Sequence, residues 1–254
     1  MINIKSKQEL ELMKHGGHIL SLVLYEVMGS IRPGVSELEL DQLAEKLIIE
    51  KGAQPGFKKV KGYYHTICMS TNDAVVHGIP GGYKFKEGDV VGVDCGVFYK
   101  GFHTDMAETK LVKSSKPKIQ SPVEKFLEVG KYALNEGIKQ AVLGNRIGHI
   151  SKAIQDIVEV ENGYSVVRSL IGHGVGRELH EEPEVPGYLV SKIEKTPFLK
   201  EGMTIAIEVI YNMGSKDVVL DPDGWTIKTQ DGKIAGLFER TVAITKGKPL
   251  LITS

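Results

Sequence analysis

An α+β fold made of two related halves is what this sequence predicts. Three features lead there: helices opened by capping boxes, short strand-like segments that follow them, and a partial repeat of both at an offset of 114 residues. Ser6-Lys7-Gln8-Glu9, Ser36-Glu37-Leu38-Glu39 and Ser121-Pro122-Val123-Glu124 each set a hydroxyl acceptor three residues before a glutamate, the last with proline at the first helical position. The helices they open run towards Gly29, Gly52 and Gly144 with apolar residues at helical spacing, and a fourth is expected to start near Ile150. Strands are expected over Tyr64–Ser70, Ser165–Ser169, Thr204–Tyr211 and Leu237–Ile244. A hairpin is expected with arms at 90–97 and 102–107. Each half therefore runs helix, helix, antiparallel strands. The expectation is one domain over 1–254, with halves of roughly 1–115 and 116–254 joined through the polar stretch 113–118.

The hairpin carries two aspartates. Side chains alternate along a strand, so a loop at Tyr99-Lys100 sets Asp94 directly opposite Asp105. A loop at Lys100-Gly101 makes them diagonal neighbours on one face. Two ionised carboxylates about 5 Å apart repel by roughly 3 kcal/mol at an effective dielectric of 20. A fold tolerates that when a cation or a shared proton lies between them. Gly92 and Gly96 flank Asp94 and leave open space above the pair. An isolated pair of strand aspartates is as often a solvated strand face.

The repeat argues against the solvated reading. Lys86-Glu87-Gly88-Asp89-Val90-Val91-Gly92-Val93-Asp94 matches Lys200-Glu201-Gly202-Met203-Thr204-Ile205-Ala206-Ile207-Glu208, with the carboxylate six residues after the glycine in both copies. Gly34-Val35-Ser36 matches Gly148-His149-Ile150 at the same offset, each opening a helical run. Gly236-Leu237-Phe238-Glu239-Arg240-Thr241 plays the part of the return strand. Each half thus delivers two carboxylates on neighbouring strands, Asp94 and Asp105 and then Glu208 and Glu239, which form one site if the halves pack together.

A carboxylate cluster needs a nitrogen ligand or a base. His173 lies in Gly172-His173-Gly174-Val175-Gly176-Arg177, where the glycines leave the imidazole unobstructed, and His180 and His77 also sit beside glycine-rich turns. His103 lies on the face of Asp105 but reads as structural, and His15, His18 and His149 fall in helices away from the strands. Four carboxylates and one imidazole carry about four negative charges, which matches two divalent cations. An oxygen-rich set favours Mn²⁺, Fe²⁺, Co²⁺ or Zn²⁺, and two such ions can activate a water and polarise a carbonyl. No Gly-x-x-x-x-Gly-Lys loop, Gly-x-Ser-x-Gly elbow or Cys-x-x-Cys pair is present.

Composition excludes other classes. The 254 residues hold 32 basic and 32 acidic side chains, so nothing draws the chain to nucleic acid or to a membrane surface. Cys68 and Cys95 make no disulfide framework and suggest a reducing compartment. The first residues lack the apolar core of a signal peptide and no run approaches a membrane span. A cytoplasmic location is the expectation.

In order along the chain stand Val76-His77-Gly78-Ile79-Pro80, the Asp94/Asp105 hairpin, and Gly172-His173-Gly174-x-Gly176-Arg177-x-x-His180-Glu181-Glu182-Pro183, then the Glu208 and Glu239 strands. This series resembles the type I methionine aminopeptidases. The resemblance implies the pita-bread fold: two pseudo-symmetric α+β halves around a curved antiparallel sheet. It implies removal of the initiator methionine from nascent polypeptides with a small second residue, by attack of a metal-bound hydroxide. By the same resemblance Asp94, Asp105, His173, Glu208 and Glu239 are ligands of two divalent ions (Co, Mn, Fe or Zn), with Asp105 and Glu239 bridging them. His77, His180 and Glu208 are the catalytic residues. Glu208 moves protons, His180 bonds the scissile carbonyl, and His77 contacts substrate and favours breakdown of the tetrahedral intermediate. Partners implied are nascent-chain N-termini near the ribosome, with a monomer as the family default.

Several positions depart from the family pattern. Val209 follows Glu208 where proline is typical, and Leu237 and Arg240 flank Glu239 where glutamine and histidine are common. Leu179 stands in place of an aromatic, and extra residues lie around 56–63, where a pocket cysteine is missing. No ligand is removed. The changes touch the side-chain pocket, expected from Tyr63, Cys68, Leu179 and Trp225. Two rival readings are an aminopeptidase acting on Xaa-Pro bonds and a non-enzymatic pita-bread binding module. The first usually has a long N-terminal domain before the motifs, and the second typically loses ligands.

Overall fold

The computed structural model describes residues 2–113 and 121–254. Apart from Lys113, the joint expected between the halves lies outside the described residues. Helices α1 (Lys7–Ser30), α2 (Glu37–Glu50) and α3 (Pro122–Lys139) open on Ser6, Ser36 and Ser121, each with both arms of its capping box made. Helix α4 (Ile147–Gln155) starts earlier than Ile150 and continues as a π-helical turn over Asp156–Glu161. Here His149 takes the glutamate's part, its Nδ1 accepting the Arg146 N–H at 3.0 Å.

That helix start corrects the repeat. Gly34 and Gly144 turn the chain with φ of +90° and +89°, and the residues two further on, Ser36 and Arg146, are the N-caps. Ser36 bridges to Lys84 and Arg146 to Phe198. Helix starts are thus displaced by 110 residues and strands by 114, because the second half is four residues longer between them. Gly148, matched in sequence to Gly34, instead lies inside α4 against Thr196.

The strands in chain order are β1 (Gln54–Pro55), β2 (Ile67–Thr71), β3 (Ala74–Val76), β4 (Val90–Tyr99), β5 (Phe102–Leu111), β6 (Ser165–Val166), β7 (Gly172–Gly174), β8 (Glu181–Val185), β9 (Thr204–Asn212), β10 (Val218–Leu220), β11 (Ile227–Thr229), β12 (Ala235–Ala243) and β13 (Leu250–Leu251). Ten form one sheet with the path β1-β4-β5-β12-β9-β7-β8, with β2 paired to β4, β6 to β9 and β13 to β12. Strands β10, β11 and β3 make a second, small sheet. Every pairing among the described residues is antiparallel. Strand β2 starts later than Tyr64, at Ile67, where the Asp41 carboxylate accepts the Thr66 and Ile67 N–H groups at 2.7 and 3.1 Å.

The hairpin register chooses between the two loop readings. Tyr99 pairs with Phe102, so the loop is Lys100-Gly101, and both residues have positive φ as a type I′ turn requires. Asp94 then faces Ala107 and Asp105 faces Gly96, so the two aspartates are diagonal neighbours on one face.

Both layers of helix cover one face of the sheet. Val91, Val93, Cys95 and Val97 of β4 pack with α1 and α2 in one core, and Ile205, Ile207, Val209 and Tyr211 of β9 pack with α3 and α4 in another. With period-two alternation, Asp94 and Glu208 necessarily point to the opposite face. The halves meet where β5 lies beside β12. Only Glu239↔Ala107 and Arg240↔Met106 pair there as a ladder. On either side a threonine hydroxyl takes over: Thr109 Oγ1 donates to Leu237 O and accepts Leu237 N–H, and Thr241 Oγ1 does the same with Asp105 O and N.

Close approach of α3 to the second-half strands depends on Gly130. A Cβ there would stand 2.4 Å from Tyr211 Oη and 2.6 Å from the Phe238 ring. Gly130→Ala gains helix propensity, yet overpacking of a rigid sheet costs about 1–3 kcal/mol and wins. The variant is expected to lower the urea midpoint at unchanged slope; a midpoint equal to that of the unchanged protein would remove this contact from the account.

Candidate active site

Register builds the site. Asp94 on β4 faces Ala107 on β5, Ala107 faces Glu239 on β12, and Glu239 faces Glu208 on β9. Three carboxylates therefore stand in one row across four strands spaced about 4.8 Å apart, with alanine's methyl leaving room in the middle. Asp105 is two residues from Ala107 on the same face. His173 pairs with Ala206, two residues from Glu208. The two halves are not copies here, since Glu208 and Glu239 are directly opposed while Asp94 and Asp105 are diagonal.

Donor atoms of Asp105, His173 and Glu239 all lie within 4.8 Å of one another. His173 Nε2 is 3.5 Å from Glu208 Oε1. Its Nδ1 lies 2.8 Å from Gly174 O, which can only accept, so Nδ1 carries the proton and Nε2 presents its lone pair to the carboxylates. Asp94 Oδ1 and Glu239 Oε1 are buried without a hydrogen-bond partner among the described residues. Orphaned carboxylate oxygens of this kind, with a neutral imidazole aimed at them, fit a divalent cation.

The electrostatics agree. Burial first pushes the Asp94 carboxyl from its ordinary 3.8 up to about 7. Burial, followed by repulsion from the neighbouring carboxylates, pushes Asp105, Glu208 and Glu239 well above the ordinary range. Burial and then His180 push the His173 imidazole down to about 4. Protein alone thus stabilises the protonated acids and the neutral imidazole, and a cation reverses the preference for the acids.

All five of these residues line one cavity of about 550 Å³. His77, His180, Tyr63, Cys68, Leu179 and Trp225 line it as well. His77 adopts φ +57°, and no Cβ fits at Gly78 because Met69 O would be 1.8 Å away. That turn directs the imidazole to the cavity. The His180 ring stacks edge-on to His173 at 4.4 Å. His103 is outside the lining and lies against Phe98.

Beside the carboxylates is an apolar pocket of Phe57, Tyr63, Cys68 and Leu179, with Val60, Ile79 and Trp225 packed on it. Cys68 pairs with Asp94 across β2 and β4, so the pocket is one strand away from the row. Phe57 and Val60 were not foreseen in the sequence. They come from the extra residues near 56–63, whose short 3₁₀ turn sets the Phe57 ring over Gly96, 2.7 Å from where a Cβ would be. The space expected above Gly96 is therefore filled by this ring. The signal was there in the Gly56-Phe57 and Gly96 spacing but has no local periodicity. Arg240, a departure from the family pattern, bonds Ala107 O, Glu239 O and the Glu108 carboxylate, and so clamps β5 to β12 beside the row.

The raised carboxyl groups set a pH dependence. A group raised in the folded state stabilises fully below its unfolded value, and that stability is lost as pH rises through the folded value. Metal-free protein is therefore expected to lose thermal stability between about pH 5 and 8, and divalent metal to abolish the loss while releasing protons. Calorimetric titration in buffers of different ionisation enthalpy measures the release; no proton release would contradict the charge assignment.

Comparison with known proteins identifies the family. The model of metallopeptidase family M24 matches residues 11–246. The chain is 42% identical over 253 residues to the methionine aminopeptidase of Clostridium perfringens, covering 100% of this chain and 99% of that protein. It is 44% identical over 246 residues to methionine aminopeptidase 1 of Bacillus subtilis, covering 97% and 96%. The crystal structure of methionine aminopeptidase from Thermotoga maritima superposes with a TM-score of 0.94 at 38% identity over the full length of both chains. Prolidase from Pyrococcus furiosus shares the fold at a TM-score of 0.78 and 24% identity, over 99% of this chain and 65% of that one. On the fold, the buried carboxylate row and these full-length matches, the chain belongs to the methionine aminopeptidases of metallopeptidase family M24.

Proposed function

We propose that this chain is a metal-dependent aminopeptidase that removes the N-terminal methionine of nascent polypeptides with a small second residue. The observation that carries the reading is the row of buried carboxylates with a neutral imidazole, opening directly onto an apolar pocket. Asp94, Asp105, His173, Glu208 and Glu239 hold two divalent ions, drawn from Co, Mn, Fe or Zn. When bound, these supply an acidified water and polarise the scissile carbonyl.

The chain's own groups do the rest. Glu208, raised by burial, takes a proton from the attacking water and gives it to the leaving amine. His180 donates to the scissile carbonyl oxygen as negative charge develops on it. His77, which lines the same cavity, contacts the substrate and favours breakdown of the tetrahedral intermediate. The methionine thioether lies among Phe57, Tyr63, Cys68, Leu179 and Trp225, where an unbranched chain packs against aromatic rings. No described helix is long and apolar enough to cross a membrane. By its family the chain acts as a cytoplasmic monomer near the ribosome.

The test is release of methionine from Met-Ala-Ser by metal-stripped protein with Co²⁺ or Mn²⁺ restored, against Met-Lys-Ser, Leu-Ala-Ser and Ala-Pro-Ser. Turnover of the first peptide alone is expected. Cleavage of Ala-Pro-Ser in its place would move the chain to the proline-specific branch, and no cleavage with metal bound would sink the enzymatic reading. Trp225 packs edge-on to Tyr63 at 5.1 Å on the pocket wall. Trp225→Ala is expected to lower kcat/KM for Met-Ala-Ser by about 10-fold or more, the scale of lost apolar contacts in a pocket. An unchanged value would place the side chain elsewhere.

A further inference from the structure

The loop between β7 and β8 carries His180, and its fixings lead back to the start of the chain. The His180 imidazole makes no hydrogen bond among the described residues. Its aim is set by the ring contact with His173 and by the backbone of the turn that carries it. The next residue, Glu181, forms an ion pair with Lys5 at 2.5 Å, and both side chains are only 3% exposed. The other oxygen of Glu181 accepts the Glu178 N–H at 3.2 Å, so one carboxylate holds both ends of the turn that bears His180.

The approach of Lys5 is built for. A Cβ at Gly176 would stand 2.3 Å from Lys5 Cε and 2.5 Å from its Nζ, so this glycine of the motif is what admits the lysine. Gly202 holds φ +83°, where a Cβ would lie 2.6 Å from Lys5 O, and its own carbonyl accepts the Lys5 N–H at 2.8 Å. A second, exposed ion pair joins Glu9 of α1 to Arg177 in the same loop. His103 N–H donates to Gly176 O at 2.6 Å, which ties the loop to β5 two residues from Asp105. A buried ion pair is a poor way to gain stability alone, because apolar residues of equal volume often do as well or better. Its use here is directional.

We propose that Lys5 is a positioning residue for the reaction: its buried pair with Glu181 fixes the turn of the β7–β8 loop and with it the aim of His180. The inference rests on the functional reading above. It makes the segment before α1 part of the scaffold of the active site, although Lys5 does not line the cavity.

The test compares Lys5→Met in two backgrounds, the unchanged chain and His180→Ala, with metal saturating and Met-Ala-Ser as substrate. A misplaced catalytic group costs up to about 100-fold, so Lys5→Met is expected to lower kcat by about 10-fold or more with KM within about twofold. In the His180→Ala background the same change is expected to alter kcat by less than about twofold, because residues acting through one another are not additive. Calorimetric affinity for Mn²⁺ is expected to be unchanged. The side-chain nitrogen resonances of His180 are expected to shift while those of His77 do not. Equal losses in both backgrounds, weakened Mn²⁺ binding or unmoved His180 resonances would overturn the proposal. If Lys5→Met does not fold, Glu181→Gln, which keeps the side-chain volume, takes its place in every arm. If the unchanged protein releases no methionine, the functional reading is what fails, and the His180 resonances alone then decide for or against the brace.

Discussion

Mutual repulsion among four carboxylates forced into one buried place is the constraint around which the molecule is arranged. No sheet face left to itself would keep Asp94, Asp105, Glu208 and Glu239 charged together, and burial already drives all four towards protonation. The surrounding structure keeps the cluster assembled. Two helix-covered cores hold the strands from behind, so the carboxylates cannot turn away without exposing Val93 and Ile207, both fully buried. Rotating a strand by one residue would exchange its faces altogether. The cluster survives because the cost of dispersing it is hydrophobic and the cost of keeping it is offset by a cation.

The seam between β5 and β12 shows how that balance is met in detail. A full ladder there would be the ordinary solution, yet only two residue pairs make one. Thr109 and Thr241 replace the outer rungs with hydroxyls that donate and accept at once. Backbone polar groups stay satisfied on both sides of the row. Arg240 adds a guanidinium that reaches Ala107 O, Glu239 O and Glu108 from the helix-covered side of the sheet. Its charge also opposes the rise in the Glu239 carboxyl, although burial and the neighbouring acids outweigh it.

Around this centre the cavity is completed by connecting segments held by particular close contacts. His77 sits on a turn of positive φ, and Phe57 leans on Gly96. His180 hangs on a turn with Glu181 at its end. None of these is fixed by strand pairing alone. The four carboxylates and His173 come from strands; of the other side chains lining the cavity, Cys68 comes from β2 and His77, His180 and Tyr63 from connecting segments. The departures at Leu179 and at 56–63 fall in the apolar pocket.

Much of this was legible in the sequence. Helix starts were fixed locally, because a serine hydroxyl and a glutamate three residues apart satisfy each other's backbone whatever lies beyond. The hairpin and the equivalence of Asp94 with Glu208 were readable because alternation and turn geometry are also local. What the sequence left open were distances along the chain that no local rule measures. It could not choose between two hairpin loops, a choice made by the positive φ of Lys100 and Gly101. It slid the helix repeat to Gly148, because four added residues are invisible until Arg146 and Phe198 are seen paired. It missed Phe57 over Gly96 and Lys5 beneath Gly176, since both are contacts between segments with no shared periodicity. The sequence by itself determined which carboxylates share a strand face and which histidines sit beside glycine turns, because alternation and residue type are local. Only the tertiary structure decided how they meet, because that depends on register across the seam and on where a missing Cβ lets another chain segment pass.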